Sequence, residues 1–389
     1  MRVLHLIDQA SPQASGATLQ LLSEPLGRMG RVDQRVLLLG GEALRREARD
    51  VGIRKPICLS VPLGQALPGL FAIQRRLRSL GAVDLVHCWS IGALSAAALL
   101  LRRVPKILTL TQTPSPRAVK WLRILTSESG GLITILPTSS TIHRALLEGG
   151  VEPLGSHVLR PGIDLSKVVL NQKAALRRRW GLHDESQKVV ALVSDPPHAA
   201  DAVEAFLAVL LADGSRVAQE MTLDLLVHPD QTHRLRADRL GRHLHRSRWV
   251  IQEPCLAQPW RCLGACDVAL AIGPHAGSLS LLWAMSANVP IVGEAHYAIS
   301  EIVEDRHSAL LAKPGAAKSL AHRLSQVLGD SQLAWKLRDT ARHEAYSFFS
   351  RQRYVQSLMS VYEQLVAGCR ELEIPALQST GGLRFAGRG

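Results

Sequence analysis

Residues 275–330 read HAGSLSLLWAMSANVPIVGEAHYAISEIVEDRHSALLAKPGAAKSLAHRLSQVLGD, and their pattern indicates the architecture of the chain. A helix-length run opens this stretch, the strand-length run VPIVGE follows at 289–294, and the short apolar run LLA at 310–312 precedes another helix-length run. Strands that are apolar throughout and alternate with helices are typical of a parallel sheet covered on both faces. The stretch therefore predicts consecutive βα units.

The same alternation extends outward to both ends of the chain. Strand-length apolar runs recur at 3–7, 35–39, 83–89, 106–111, 131–138, 157–162, 188–194, 221–229, 248–254 and 266–273. A stretch rich in Arg, Lys and Gln, 164–188, interrupts the series and is typical of a linker. We expect two doubly wound α/β domains, with ligands bound outside the carboxyl ends of their strands in the cleft between them.

Composition and charge narrow the function classes. The chain has 389 residues, of which 47% are hydrophobic, and its net charge is +13 with a pI near 10. That charge favours anionic partners such as phosphates or anionic lipid headgroups. Nucleic acid is not expected, because no basic strip is interleaved with aromatic residues. The absence of a long apolar run and of signal-peptide features predicts a cytoplasmic protein.

Three of the cysteines, Cys255, Cys262 and Cys266, cluster in sequence and raise the question of a metal site. Their spacing lacks the CxxC pairs of such sites, so we expect buried thiols, with Cys262 and Cys266 on one face of a helix. The cysteine spacing therefore predicts no metal site.

No GxGxxG follows the first strand, which disfavours a nicotinamide-dependent oxidoreductase.

In the order and spacing of its motifs, the chain resembles glycosyltransferase family four, a group of retaining GT-B enzymes. The resemblance rests on the loop and helix at 275–285, the strand VPIVG, the turn SEIVED and the strand LLAKPG. MRVLHLID, TSSTIHRALLEGGV and HVLRPGIDLSKV occupy the expected places in the first half, and HVLRPGIDLSKV is similar to the family's "PNGID" exit from the first domain. The resemblance covers roughly residues 1–366.

The resemblance implies a GT-B fold, in which two Rossmann-like domains face a central cleft. Its expected parts are an acceptor-side domain at 1–165, a nucleotide-sugar domain at 166–350, a helix at 351–370 that crosses back to the first domain, and a disordered tail at 371–389. The implied activity is transfer of a sugar, with retention, from a UDP- or GDP-linked donor to a glycan, lipid or small-molecule acceptor. No cofactor beyond the donor is implied. Peripheral contact with the anionic inner face of a membrane is compatible with this activity.

Donor binding is expected where a helix opens after the loop at 275–277. Gly277, Ser278 and Leu279 would present free backbone N–H groups and the positive end of a helix dipole to a diphosphate. The family has two glutamates eight residues apart here, whereas this chain has His275 and Trp283. Trp283 only donates hydrogen bonds, so it either stacks on a base or packs in the core.

Other positions also depart from the family's pattern. Ser194 and Asp195 occupy the positions of a Gly-Arg pair whose cation neutralises the leaving diphosphate. His87 remains from an HxH pattern whose second histidine is replaced by Trp89, and it is either an acceptor contact or a core histidine. Glu301 matches a family glutamate, and it either caps the following helix or orders the donor loop. The resulting candidate catalytic residues are His87 and His275, and the candidate donor-binding residues are Gly16, Arg160, Ser194, His275, Ala276, Gly277, Ser278, Leu279, Trp283 and Glu301.

These substitutions leave two functions open. The first is an active nucleotide-sugar glycosyltransferase. The second is a catalytically inactive GT-B protein that binds or scaffolds, because unfavourable side chains coincide at several positions of the expected chemistry.

Overall fold

A computed structural model describes residues 1–8, 15–53, 55–59, 66–152, 158–168, 172–184, 187–193, 222–227, 250–252, 259–273 and 278–368. Its contacts divide the chain into two compact units. Unit 1 comprises Met1–Ala10, Leu22–Gly162 and Gln352–Gly389, and unit 2 comprises Ser11–Leu21 and Ile163–Arg351. The predicted boundary stood at residue 165, and the chain changes unit between Gly162 and Ile163. The predicted disordered tail at 371–389 lies outside the described residues.

Unit 1 is built on a parallel sheet of six strands in the order β3-β2-β1-β4-β5-β6. Its elements in chain order are β1 (Arg2–Asp8), α1 (Ser15–Ser23), β2 (Asp33–Leu39), α2 (Glu42–Asp50), β3 (Ile57–Leu59), α3 (Ala66–Leu80), β4 (Leu85–Cys88), α4 (Ile91–Leu100), β5 (Lys106–Leu110), α5 (Pro116–Glu128), β6 (Ile133–Pro137) and α6 (Ser140–Glu148). This strand order is that of the Rossmann fold. Helix α1 is shared between the units: its residues 15–21 belong to unit 2, and its last two residues belong to unit 1.

Local sequence explains where three of these helices begin. Ser90, Ser115 and Ser139 precede α4, α5 and α6, and each side chain accepts a hydrogen bond from the backbone N–H three residues later. Such N-caps satisfy a donor that the first helical turn leaves unpaired. Strands β4, β5 and β6 are buried on both faces, and Leu6 and Leu108 belong to the apolar core of unit 1.

Unit 2 repeats this architecture with the strand order β12-β11-β10-β7-β8-β9. Its described elements are α7 (Lys173–Arg179), β7 (Gln187–Leu192), β8 (Thr222–Val227), β9 (Val250–Gln252), β10 (Val268–Ala271), α8 (Ser278–Ser286), β11 (Ile291–Glu294), α9 (Tyr297–Ser300), β12 (Leu310–Ala312), α10 (Ala317–Gly329) and α11 (Ser331–Phe348). Read from β9, the order is again that of a Rossmann fold, with β7 as the first strand. The predicted α/β fold of two doubly wound domains is confirmed.

The two ends of the long segment of unit 2, Ile163–Arg351, lie side by side in a short parallel pairing. The backbone N–H of Ile163 donates to the carbonyl of Phe349 at 3.0 Å, and that of Arg351 donates to the carbonyl of Ile163 at 2.9 Å. The guanidinium of Arg351 also donates to the carboxylate of Asp164. Burial would raise the pKa of Asp164, but hydrogen bonds from Ser166 and the charge of Arg351 outweigh it and lower that pKa. Helix α12 (Arg351–Val366) begins at this point, and all of it after Arg351 belongs to unit 1.

Two local predictions are wrong. The run at 157–162 was expected to be a strand, but its described residues, 158–162, form none, and Leu159 only donates its N–H to the carbonyl of Pro137. The stretch WRCLGACD was expected to be a helix, but it forms two short 3₁₀ turns, Pro259–Arg261 and Leu263–Ala265. A mid-chain glycine, Gly264, is a poor helix former, which favours these short turns. None of the described helices is both long enough and apolar enough to span a bilayer.

Candidate functional site

The topology of unit 2 fixes where a ligand site is expected. The chain order of the strands reverses between β7 and β10, which pair in parallel. Ligands of doubly wound sheets bind outside the carboxyl ends of the strands at such a reversal. β7 ends at Leu192 and β10 ends at Ala271. The candidate residues that follow these two strand ends in sequence lie outside the described residues; they are Ser194, His275, Ala276 and Gly277.

Helix α8 begins at Ser278, as the sequence predicted. The first turn of a helix leaves backbone N–H groups without intrahelical partners, and the helix dipole places partial positive charge there. The side chain of Leu279, in this first turn, is buried. Leu279 could therefore meet a ligand through its backbone N–H, which is the role that the sequence assigned to it.

Trp283 lies in the core of unit 2. Its side chain is 1% exposed, and its ring packs against that of Trp260 with centroids 4.8 Å apart. The indole N–H donates to Oε1 of Gln20, in the part of α1 that belongs to unit 2, at 3.3 Å. The ammonium of Lys167 lies 5.6 Å from the centre of the Trp260 ring. Of the two roles predicted for Trp283, this environment favours packing over stacking on a base.

Glu294 ends β11 and ties together the ends of three neighbouring strands. Its Oε2 accepts from the backbone N–H of Gly273, after β10, at 3.0 Å, and its Oε1 accepts from that of Gly315, after β12, at 2.9 Å. Nε2 of His296 lies 3.1 Å from Oε2. A buried carboxylate that accepts two backbone N–H groups holds Gly273 and Gly315 in fixed positions, because charge-assisted hydrogen bonds are strong.

Two glycines make this arrangement possible. Gly273 has φ +87°, a conformation that side chains with a Cβ rarely adopt. A Cβ on Gly293 would lie 2.7 Å from the carbonyl oxygen of Ala271, so only glycine lets β11 approach the end of β10 this closely. The backbone of Gly273, two residues after β10, is held in place by Glu294.

Glu301 follows the short helix α9, and its backbone N–H donates to the carbonyl of Tyr297 at 3.0 Å. The alternative in which Glu301 caps a following helix is wrong, since residues 301–316 are all described and contain none. The second alternative, that Glu301 orders the donor loop, stays a prediction.

His87 lies in β4, which flanks the corresponding reversal of strand order in unit 1. Its ring is fully buried, with Nδ1 2.5 Å from the hydroxyl of Tyr362 and Nε2 2.7 Å from Oγ1 of Thr109. It stacks on Trp89 with ring centroids 4.2 Å apart. Burial and the neighbouring His5 hold its pKa well below its usual range. With both ring nitrogens hydrogen-bonded inside the core, His87 is suited to a structural role, and the acceptor contact proposed for it stays a prediction.

A second histidine, His5, forms a chain of hydrogen bonds in the same core. The indole N–H of Trp89 donates to Nδ1 of His5 at 3.1 Å. Nε2 of His5 therefore carries the proton and donates to Oε1 of Gln34 at 3.2 Å, and the amide of Gln34 donates to the carbonyl of Pro25. Burial lowers the pKa of His5 to about 4. This chain requires neutral His5, because its Nδ1 must accept.

The two remaining candidates belong to different parts of the chain. Gly16 lies in the first turn of α1, rather than in a loop ahead of it. Arg160 lies in unit 1, is partly exposed, and directly precedes Pro161. Nothing in their surroundings tests a role in donor binding, and both stay predictions.

The described cysteines fit the expectation of buried thiols in unit 2. Cys262 and Cys266 are buried and not joined by a disulfide, and burial raises the pKa of Cys266. The described residues contain no group of three or more His, Cys, Asp or Glu side chains arranged to hold a metal ion.

Comparison with known proteins identifies the architecture. HepE from Anabaena, solved in complex with UDP-glucose, superposes with a TM-score of 0.77 at 17% identity, over 94% of this chain and 100% of HepE. Sucrose-phosphate synthase from Thermosynechococcus elongatus superposes with a TM-score of 0.72 at 14% identity, over 95% of this chain and 100% of that one. The fold is GT-B.

Within this GT-B fold, residues 248–344 match the family model described as "Glycosyl transferases group 1". The matched stretch contains β10, which is one of the two strands at the reversal of unit 2. It also contains α8 and β11, with Glu294 at the end of β11. No curated protein matches the sequence. A UDP-N-acetylglucosamine 2-epimerase also superposes, with a TM-score of 0.59 at 13% identity over 93% of this chain and 97% of that one. The GT-B fold therefore does not by itself identify the reaction.

Sequence reasoning missed Glu294 as a site residue. The signal was present, because an acidic residue closes the apolar run VPIVGE at the carboxyl end of a buried strand. In a parallel sheet that edge faces the ligand site, so an acid there needs either backbone donors or a ligand.

Proposed function

We propose that this chain is a glycosyltransferase that uses a nucleotide sugar as its donor. The observation that carries the proposal is the match of residues 248–344 to the group 1 glycosyltransferases, in the part of unit 2 where topology expects a ligand. HepE, which shares the fold, was solved with UDP-glucose, and this supports a UDP-linked donor. A GDP-linked donor is the alternative.

The proposed site uses the N-terminus of α8 for the diphosphate. Backbone N–H groups at Ser278 and Leu279 would donate to phosphate oxygens, and the helix dipole would favour their charge. Glu294 would act as a positioning residue, because it fixes the backbone of Gly273, which follows β10. His275 and Ser194 are proposed to contact the sugar and the diphosphate.

The catalytic difficulty is the leaving group. A departing nucleoside diphosphate needs positive charge, and such electrostatic stabilisation is usually a large part of the catalytic effect. The Gly-Arg pair expected after β7 is replaced by Ser194 and Asp195. We propose that the N-terminus of α8 and a hydrogen bond donated by His275 stabilise the leaving diphosphate, that no metal or other cofactor is needed, and that the sugar is transferred with retention.

The acceptor is proposed to be a glycan, a lipid or a small molecule, and the protein is proposed to act in the cytoplasm. A catalytically inactive binding protein on the same scaffold remains the alternative function. The substitutions at His275, Trp283 and Asp195 are the observations that favour this alternative.

The test is a panel of UDP- and GDP-sugars incubated with the full chain, with and without EDTA, and analysed by mass spectrometry and by NMR, which distinguishes isomers of equal mass. Transfer or slow donor hydrolysis that EDTA does not affect is expected, and the anomeric configuration of the transferred sugar reports retention. Isomerised donor without sugar transfer would indicate an epimerase and contradict the proposal. Weak or absent calorimetric binding of UDP and GDP, together with no turnover, would contradict the transferase and favour the inactive alternative, whereas a micromolar affinity for either nucleotide would weaken that alternative.

A further inference from the structure

Helix α5 presents an unusual face to solvent. Its residues 119 and 122 are buried, whereas Trp121 is 45% exposed and Ile124 is 38% exposed. Arg117 and Lys120 are exposed on the same side of the helix, and the exposed Arg123 flanks them, three residues after Lys120. Residues three and four apart share one side of a helix, so the two apolar side chains and these cations form one continuous surface.

The helix is held firmly in this orientation. The indole N–H of Trp121 donates to Oγ of Ser95, on α4, at 2.9 Å. On its inner side Val119 packs against Gly149, which follows α6, so closely that a Cβ on that glycine would lie 2.0 Å from Val119 Cγ1. The exposed face of α5 is therefore fixed by its neighbours on both sides.

The adjacent end of α4 extends the same surface. Leu99 lies one turn beyond Ser95 and is 56% exposed, and Arg102 and Arg103 follow it, both exposed. We call Leu99, Arg102, Arg103, Arg117, Lys120, Trp121, Arg123 and Ile124 the α4–α5 surface. It joins three exposed apolar side chains to five cations, and none of these five makes an ion pair within the part of the chain that the structure describes.

We propose that the α4–α5 surface docks unit 1 on an anionic lipid bilayer. Amphipathic tryptophan settles at the level of the lipid headgroups, leucine and isoleucine insert below it, and Arg and Lys complement anionic headgroups. The net charge of +13 acts in the same direction at longer range. The proposal is independent of the donor chemistry in unit 2.

A protein partner fits this surface less well. The buried centre of a protein interface is depleted of charged residues, lysine in particular, whereas here cations surround and separate three apolar side chains. Within α5, every residue of which is described, the one acid is Glu128 in the last turn. The charge is thus nearly of one sign, as an anionic bilayer requires.

The test is sedimentation of the full chain with vesicles of phosphatidylcholine alone or mixed with phosphatidylglycerol. The chain is expected to bind the anionic vesicles at least about tenfold more tightly, and to lose this binding in high salt, because screened cations no longer attract the headgroups. Equal binding to both vesicles, or no binding to either, would overturn the proposal.

Matched variants localise the surface. Arg117→Glu combined with Lys120→Glu should weaken binding by about tenfold or more. Lys318→Glu combined with Lys336→Glu reverses two exposed charges of unit 2 and should have a much smaller effect. Equal weakening by both pairs would attribute binding to net charge and refute this surface.

The apolar contribution has its own pair of variants. Trp121→Ala should weaken binding, whereas Trp335→Ala, which removes a tryptophan that is 58% exposed on α11, should not. Ile124→Ser provides a second test on α5 that leaves the Trp121–Ser95 hydrogen bond in place. If neither α5 variant changes vesicle binding, the insertion of this helix is wrong.

Discussion

His5 and His87 lie side by side in the core of unit 1, with ring centroids 5.4 Å apart, and burial lowers the pKa of both. A histidine with a lowered folded-state pKa binds its proton more readily in the unfolded chain. The stability it contributes is therefore complete above pH 6.5 and is lost as the pH falls toward the folded value, which for His5 is about 4. His87 acts in the same direction.

This predicts a specific acid sensitivity. Between pH 6.5 and 4, His5 should reduce the free energy of unfolding by roughly 3 kcal/mol, since one pKa unit corresponds to about 1.4 kcal/mol. Denaturant unfolding across this range should show a shallower pH dependence in His5→Gln than in the wild type. The exposed His183→Gln is the control and should keep the full dependence. Identical pH profiles for His5→Gln and the wild type would refute the assignment.

Glu294 fixes the backbone of Gly273 and Gly315 beside the proposed donor site. In Glu294→Gln the side-chain amide can accept only one of the two backbone N–H groups, so one of them loses its partner, at a cost of about 1–3 kcal/mol. We expect a lower melting temperature and about tenfold weaker binding of UDP-sugar by calorimetry, while Glu42→Gln, at an exposed glutamate of unit 1, should leave both unchanged. Unchanged donor affinity in a destabilised Glu294→Gln would reduce Glu294 to a purely structural residue.

At the scale of elements, the contact between α5 and the end of α6 offers a sharp test of packing. Gly149 has φ −85°, so alanine suits its backbone, but the added Cβ would clash with Val119. Gly149→Ala should therefore cost about 1–3 kcal/mol of stability by overpacking. In a Val119→Ala background the same substitution should cost much less, because the clashing methyl groups are gone. Additive effects in this double-mutant cycle would show that α5 does not pack there.

The strands and helices were largely predictable, whereas their irregular parts were not. Apolar runs such as VDLVHCW and KILTLT gave β4 and β5 directly, because buried parallel strands are apolar throughout. The short strand β3, Ile57–Leu59, carries no comparable run, and the pattern did not reveal it. The 3₁₀ turns around Cys262 were read as a helix because both show apolar residues three and four apart.

At the scale of the whole molecule, topology and local motifs predicted different parts of the site. The resemblance placed candidate residues after β7 and β10, and the sheet order makes these strands neighbours at the reversal of unit 2. The environment of His87 could not be predicted, because its partner Tyr362 lies 275 residues away, on a helix that returns to unit 1. Trp283 likewise donates a hydrogen bond to Gln20, which lies 263 residues away. Such contacts between distant segments follow from the fold and leave no local signal.

The proposed function requires a nucleotide to bind at the carboxyl ends of β7 and β10, against the N-terminus of α8. Hydrogen–deuterium exchange of the full chain, with and without saturating UDP, measures this binding peptide by peptide. Slower exchange is expected in peptides that span 271–296, and no change in those that span 106–148 in unit 1. UDP that leaves exchange at 271–296 unchanged, or that protects a different part of the chain, would contradict it.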